Sequence, residues 1–171
     1  MKTHIWAPLG IKDMTFHLEK REDLRERLVD MCVRDAATGK AVHKPTKTWD
    51  DPLDDAFGGA GVYSSMPDFF KILQSLLNDD GKLLKSETVR QMERPQLNDE
   101  CRASLMRNLE DPEVNDMLGA LPLGSRKHWG LGGILLMEDM KGGRRSGTVA
   151  WGGIPNLFWV SCSCRSTRGV K

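Results

Sequence analysis

The sequence predicts an α+β chain. Two observations carry that class: an amphipathic helical pattern in the middle, and a glycine-punctuated change of period in the last third. In "MPDFFKILQSLLNDDG" the apolar residues Phe69, Ile72, Leu73, Leu76 and Leu77 recur at i, i+3, i+4, i+7 and i+8, which is one face of a helix. From His128 onward, short apolar runs rich in Trp, Val and Leu alternate with Gly-rich turns, as in an antiparallel meander.

The elements follow in order. Residues 4–18 form a loop-rich entry punctuated by Pro8 and Gly10, anchored by Ile5, Trp6, Leu9, Ile11, Met14 and Phe16. Residues 20–31 are charge-rich. Leu24, Leu28 and Met31 recur there at helical spacing and predict a short surface helix. Residues 33–58 carry Gly39, Pro45 and Pro52 and read as an extended excursion with little regular structure. Ser65 and Asp68 then make a capping-box-like start to the main helix, and Gly81 is its natural C-cap. Ser86 opens a second helix with Val89 and Met92 inward, stopped before Pro95. A third runs from about Asp99 to Leu109 with Leu105, Met106 and Leu109 on its apolar face. In the tail, Trp129 to Glu138 is predicted as one strand. "GGRR" at 142–145 is a turn, and "SGTVAWGG" and "NLFWV" are further strands.

Bulk properties narrow the function. The 171 residues suit one domain, and the net charge of +1 offers no field for nucleic acid or an anionic membrane. The N-terminus lacks the apolar stretch of a secretory leader and no run approaches a membrane span, so cytoplasmic placement is expected. Cys32, Cys101, Cys162 and Cys164 are expected to be reduced thiols. With His4, His17, His43 and His128 scattered, no metal site and no cofactor are expected.

The search for a nucleophile is negative. No serine has a lysine three residues later, so S-x-x-K is absent, and so is the G-x-S-x-G elbow. Tyr63 is followed by Ser64 and Ser65, which is not Y-x-N. His128 lacks a recognisable partner and reads as structural. The clusters "FGGAG" (57–61), "GLGG" (130–133) and "AWGG" (150–153) lack dinucleotide-binding spacing. Read alone they are bulges and turns, with close approach of a substrate to the backbone as the other reading.

Four segments in order carry a resemblance. "APLGIKDMTF" (7–16), "FGGAGVYSSMPDFFKILQSLLNDDGKLLKSETVRQM" (57–92), "WGLGGILL" (129–136) and "GTVAWGGIPNLFWV" (147–160) resemble the C-terminal part of the serine β-lactamase-related superfamily. That superfamily includes class C β-lactamases, penicillin-binding proteins, related esterases and the fungal lovastatin-type acyltransferases of secondary metabolism. The resemblance implies an incomplete β-lactamase/transpeptidase-like fold over residues 1–160 and a divergent tail at 161–171. It implies ester hydrolysis or acyl transfer through an acyl-serine, on a small-molecule ester or acyl thioester. It also implies that this chain is inactive alone, since the family's serine, lysine and tyrosine motifs are absent from it. Trp151, Gly152 and Gly153 stand in the place of the family's third motif. By the same resemblance the Ile154 N–H is the oxyanion donor, where relatives tend to have Gly. A non-catalytic binding module built on the same fold is the alternative.

Overall fold

The computed structural model describes residues 1–43, 55–59, 61–141, 143–153 and 157–162. They fall into two compact units, Met1–Ile72 and Leu73–Lys171. Among the described residues no helix is long and apolar enough to cross a membrane.

In the first unit a helical turn, Lys2–Trp6, precedes β1 (Met14–Thr15). The Trp6 and Phe16 rings stack at 6.4 Å. Ile11, Met14, Leu18 and Leu24 are its buried apolar residues. The helix expected over 20–31 shrinks to α1 (Glu22–Arg25). Only Leu24 of its apolar stripe is buried, while Leu28 is exposed, so no packing sustains further turns against a charged sequence. The excursion after residue 33 is more regular than expected. β2 (Cys32–Arg34) and β3 (Ala41–His43) pair antiparallel, with Cys32 opposite His43. Asp35 Oδ1 closes their turn by accepting from Thr38 N and Oγ1 at 2.7 and 2.6 Å, and Gly39 supplies φ +67°. Residues 44–54 lie outside the described residues.

β4 (Tyr63–Ser64) pairs with β1 and leads into α2 (Met66–Asn78). The capping-box expectation is met differently. Asp68, 6% exposed, does not turn back to the Ser65 N–H, which donates instead to Asp13 O at 3.0 Å. Its Oδ2 accepts the backbone N–H groups of Lys12 and Asp13 at 2.8 and 2.6 Å, and Oδ1 pairs with the Lys71 ammonium. Lys71 Nζ also donates to Gly10 O at 2.9 Å. Two of the segments that carry the family resemblance are therefore one clasp. Burial would raise the Asp68 carboxyl, but the Lys71 contact and the two N–H donors outweigh it and hold the group below the ordinary carboxylate range.

In the second unit, α3 (Ser86–Met92), α4 (Asp99–Asn108) and α5 (Pro112–Met117) precede the sheet. Asn98 caps α4 by accepting from Cys101 N at 2.8 Å, and Asp111 caps α5 by accepting from Glu113 N at 2.9 Å. The sheet order is β5 (Lys127–Trp129), β6 (Ile134–Leu136), β7 (Val149–Trp151), β8 (Trp159–Ser161), all antiparallel. The single strand expected over 129–138 is thus a hairpin. Its glycines form the turn, with Gly130 N donating to Gly133 O at 2.8 Å. Leu109, Leu121, Ile134 and Ala150 make the core, with Leu105, Val114, Leu118, Trp129 and Trp151 packed on it.

Lys127 is the unusual member of this unit, 2% exposed with its Nζ donating to Pro122 O at 2.7 Å. Burial, partly opposed by the Glu138 carboxylate, holds its ammonium below the ordinary lysine value. Ser125 Oγ also donates to Pro122 O, at 2.6 Å, so that carbonyl keeps a partner if Lys127 is lost. Lys127→Met is therefore expected to be neutral at pH 7, or to stabilise by about 1 kcal/mol. The unfolded lysine holds its proton at pH values where the folded one has released it. Wild-type stability should then rise with pH in the alkaline window below 10.5, and the variant should lack that rise. Urea unfolding at pH 7 and 10 checks both points. A loss above about 2 kcal/mol at pH 7 would contradict the assignment.

Candidate active site

β7 is paired on both sides, with Ala150 opposite Ile134 and Val160, and Trp151 opposite Trp159. Its end is the expected site. The half-buried Trp151 meets Trp129 edge to face at 4.9 Å. This fixes the indole by packing on the sheet.

The two glycines that follow differ. A Cβ on Gly152 would sit 2.6 and 2.7 Å from the Phe158 ring atoms Cδ1 and Cε1, and 2.9 Å from Met117 O. Gly152 is glycine because Phe158 and the end of α5 occupy its side-chain space. A Cβ on Gly153 would meet nothing within 4 Å. Among the described residues its α-carbon faces open space, so of the pair it is the glycine with room beside its backbone. Gly153 O accepts from Leu157 N at 3.2 Å and closes the turn toward β8. Ile154, the donor that the resemblance assigns, lies outside the described residues.

The segment after α5 also abuts the site. A Cβ on Gly119 would touch Ala150 Cβ and Trp151 N, both at 3.5 Å. Asn115 Nδ2 donates to Leu121 O at 2.7 Å and Ala120 N to Asn115 O at 2.9 Å, which pins this segment. Gly130, Gly132 and Gly133 of the earlier cluster serve packing. A side chain on Gly130 would run into the Met92 carbonyl, and Met92 O accepts Leu131 N–H at 3.1 Å.

His128 is buried, and its Nδ1 accepts the Trp129 N–H at 3.0 Å, in keeping with a structural histidine. Among the described residues no cluster of His, Cys, Asp or Glu could hold a metal. Cys32 and Cys101 are free and exposed, whereas Cys162 is disulfide-bonded, so four reduced thiols is corrected at that position. Sequence reasoning missed Met117, Trp129 and Phe158 as neighbours of the glycine pair. "NLFWV" signalled only a strand, and contact between α5 and β7 is a tertiary fact without a local signature.

Helices followed by an antiparallel sheet are the architecture of this unit. The chain carries the C-terminal portion of a serine β-lactamase-related fold. It is similar to fungal acyltransferases and to a fungal esterase. It is 37% identical over 163 residues to the acyltransferase mokF of Monascus pilosus, covering 94% of this chain and 39% of that protein. It is 39% identical over 160 residues to the lovastatin esterase of Penicillium rubens, covering 93% and 40%. Among solved structures, the LovD6 mutant of simvastatin synthase from Aspergillus terreus superposes with a TM-score of 0.88 at 38% identity, covering 95% of this chain and 40% of that one. The chain thus spans about two fifths of the length of these relatives. No protein-family model matches it.

Proposed function

We propose that this chain supplies the substrate-facing wall of an acyl-enzyme site for acyl transfer or ester hydrolysis. One observation carries the reading most directly: the packing at the end of β7 closes Gly152, while among the described residues nothing lies within 4 Å of the side-chain position of Gly153. The activities of the relatives, acyltransferase and esterase, fit a site of this kind. In such chemistry a serine Oγ attacks the acyl carbonyl, an amine takes the serine proton, and the alcohol or thiol leaves. An incoming alcohol or water then takes the acyl group and restores the serine. The Trp151–Gly152–Gly153–Ile154 wall would line the acyl group, with the Ile154 N–H helping to hold the tetrahedral oxyanion.

The sequence contains no S-x-x-K, and on this reading the nucleophile is supplied by polypeptide outside these residues. The substrate is expected to be a small-molecule ester or acyl thioester. The test mixes the chain with a polypeptide covering the part of a statin acyltransferase that it does not match. A fluorophosphonate probe then reports serine reactivity. The mixture should label one serine stoichiometrically while the chain alone labels none. Stoichiometric labelling of the chain alone, or none in a stable complex, would overturn the reading. The second result would favour a binding module.

A further inference from the structure

We propose that the outer edge of β2 is a self-complementary docking edge, where a second copy of this chain adds its own β2 antiparallel. The inference is independent of the acyl-enzyme reading and concerns only the unit Met1–Ile72. The strands of the β2–β3 hairpin are three residues long and exposed throughout. Val33 and Val42, opposite each other, are each 43% exposed. A two-stranded hairpin without a packed face is marginal in water, and further strands are what stabilise it.

The ladder fixes which backbone groups are free. Asp35 N donates to Lys40 O at 2.9 Å, so Asp35 and Lys40 are a hydrogen-bonded pair. Hydrogen-bonded and non-hydrogen-bonded pairs alternate along an antiparallel ladder, which makes Val33–Val42 the next hydrogen-bonded pair. The N–H and C=O groups of Cys32 and Arg34 therefore point away from β3. Among the described residues no backbone group pairs with them. Asp30 shares their face, with its Oδ1 3.9 Å from Nε2 of His43, the residue opposite Cys32.

The side chains select a second copy and its register. Setting Cys32 opposite Cys32 of the second copy puts Asp30 opposite its Arg34 and Met31 opposite its Val33, and the two-fold axis repeats both pairs. Opposite charges then face each other, and apolar residues face each other. Sliding the copies by two residues sets Met31 against Asp35 in one direction and Arg34 against Leu28 in the other, so both matches are lost. A slide by one residue turns the free groups away from each other. In the selected register the Cys32 N–H of each copy donates to the Cys32 carbonyl of the other. The edge is short for a permanent interface, so the dimer forms reversibly and with concentration.

Sedimentation equilibrium of the whole chain under reducing conditions, from about 1 μM to 1 mM, is expected to show a monomer–dimer equilibrium. Arg34→Glu, which sets two carboxylates against each other, should weaken it at least about tenfold, and so should Asp30→Arg, which opposes two cations. The double variant, Asp30→Arg with Arg34→Glu, restores opposite charges at both pairs and should recover association to about the wild-type level. That rescue separates a broken edge from a misfolded variant. Diamide gives a second readout, because it takes two protons and two electrons from a pair of thiols and leaves a disulfide. Cα atoms of a hydrogen-bonded cross-strand pair lie about 5.5 Å apart, within the roughly 4.4–6.8 Å span of a disulfide. Diamide should therefore link two copies through the exposed Cys32 thiols, in Cys101→Ser as in wild type but not in Cys32→Ser. A chain that stays monomeric throughout the range would overturn the proposal. So would single variants that associate like wild type, a double variant no better than the singles, or linking undiminished in Cys32→Ser. A Cys32 that links to the completing polypeptide of the reconstitution in preference to a second copy would overturn it too, and would leave the acyl-enzyme reading standing.

Discussion

Asp68→Ala is expected to cost about 3 kcal/mol of stability at pH 7. The carboxylate is buried and accepts two backbone N–H groups, at 2.8 and 2.6 Å, besides pairing with Lys71. Removing it leaves the Lys12 and Asp13 donors without this acceptor and frees the Lys71 ammonium from its nearest charge. The loss should be local to the unit Met1–Ile72, where all these groups lie. The sign of the pH dependence follows from the direction of the shift. The folded carboxyl titrates below its ordinary value of 3.8, so its stabilisation is complete above the unfolded pKa. It fades as pH falls through the lower folded value. Wild type should therefore lose stability between about pH 4 and pH 2 more steeply than Asp68→Ala. Asp68→Asn, which keeps an acceptor oxygen but no charge, should fall between the two. Urea unfolding across pH 2–7 measures all three. An alanine variant within about 1 kcal/mol of wild type at pH 7 would remove the clasp from the account.

The clasp also shows what was legible in the sequence and what was not. The α2 periodicity is written locally, and the helix forms at Met66–Asn78 as its spacing predicts. The Ser65–Asp68 pair looks like a local cap. What uses Asp68 is a chain segment 55 and 56 residues earlier, which local spacing cannot reveal. The β2–β3 hairpin was readable in principle from Asp35, Thr38 and Gly39 between two short apolar runs. It was hidden because its strands are three residues long and exposed, without alternation between buried and solvent faces. α5 announced itself through Asp111 and Pro112, a cap followed by proline in the first turn, but six residues give too little periodicity to separate helix from loop. At the candidate site, the strand expected over 146–153 forms as β7 (Val149–Trp151) and stops before the two glycines. The unequal duties of the two glycines depend on Phe158 and Met117, which only tertiary packing brings there.

That inequality gives the second large effect. Gly152→Ala is expected to lower stability by about 1–3 kcal/mol, because its methyl must displace a seated ring and a backbone carbonyl together. The ring can swing outward, since Phe158 is partly exposed, but Met117 O can move only with the end of α5. Displacing both should also disturb the Trp151–Trp129 contact and alter tryptophan emission. Gly153→Ala should change stability by no more than about 0.5 kcal/mol, because its methyl enters open space. The order reverses for chemistry. On the proposed acyl-enzyme reading, Gly153→Ala in the reconstituted site puts a methyl where the acyl group would approach the backbone. It should slow serine acylation by at least about tenfold, the cost of misplacing a reacting group. Gly152→Ala should slow acylation only as far as it displaces Phe158. Thermal unfolding of both variants, beside acylation rates with acetyl and 2-methylbutanoyl thioesters, separates the two roles. If Gly153→Ala proved the more destabilising of the pair, or acylated at the wild-type rate, the open side of the turn would not be the side that meets substrate.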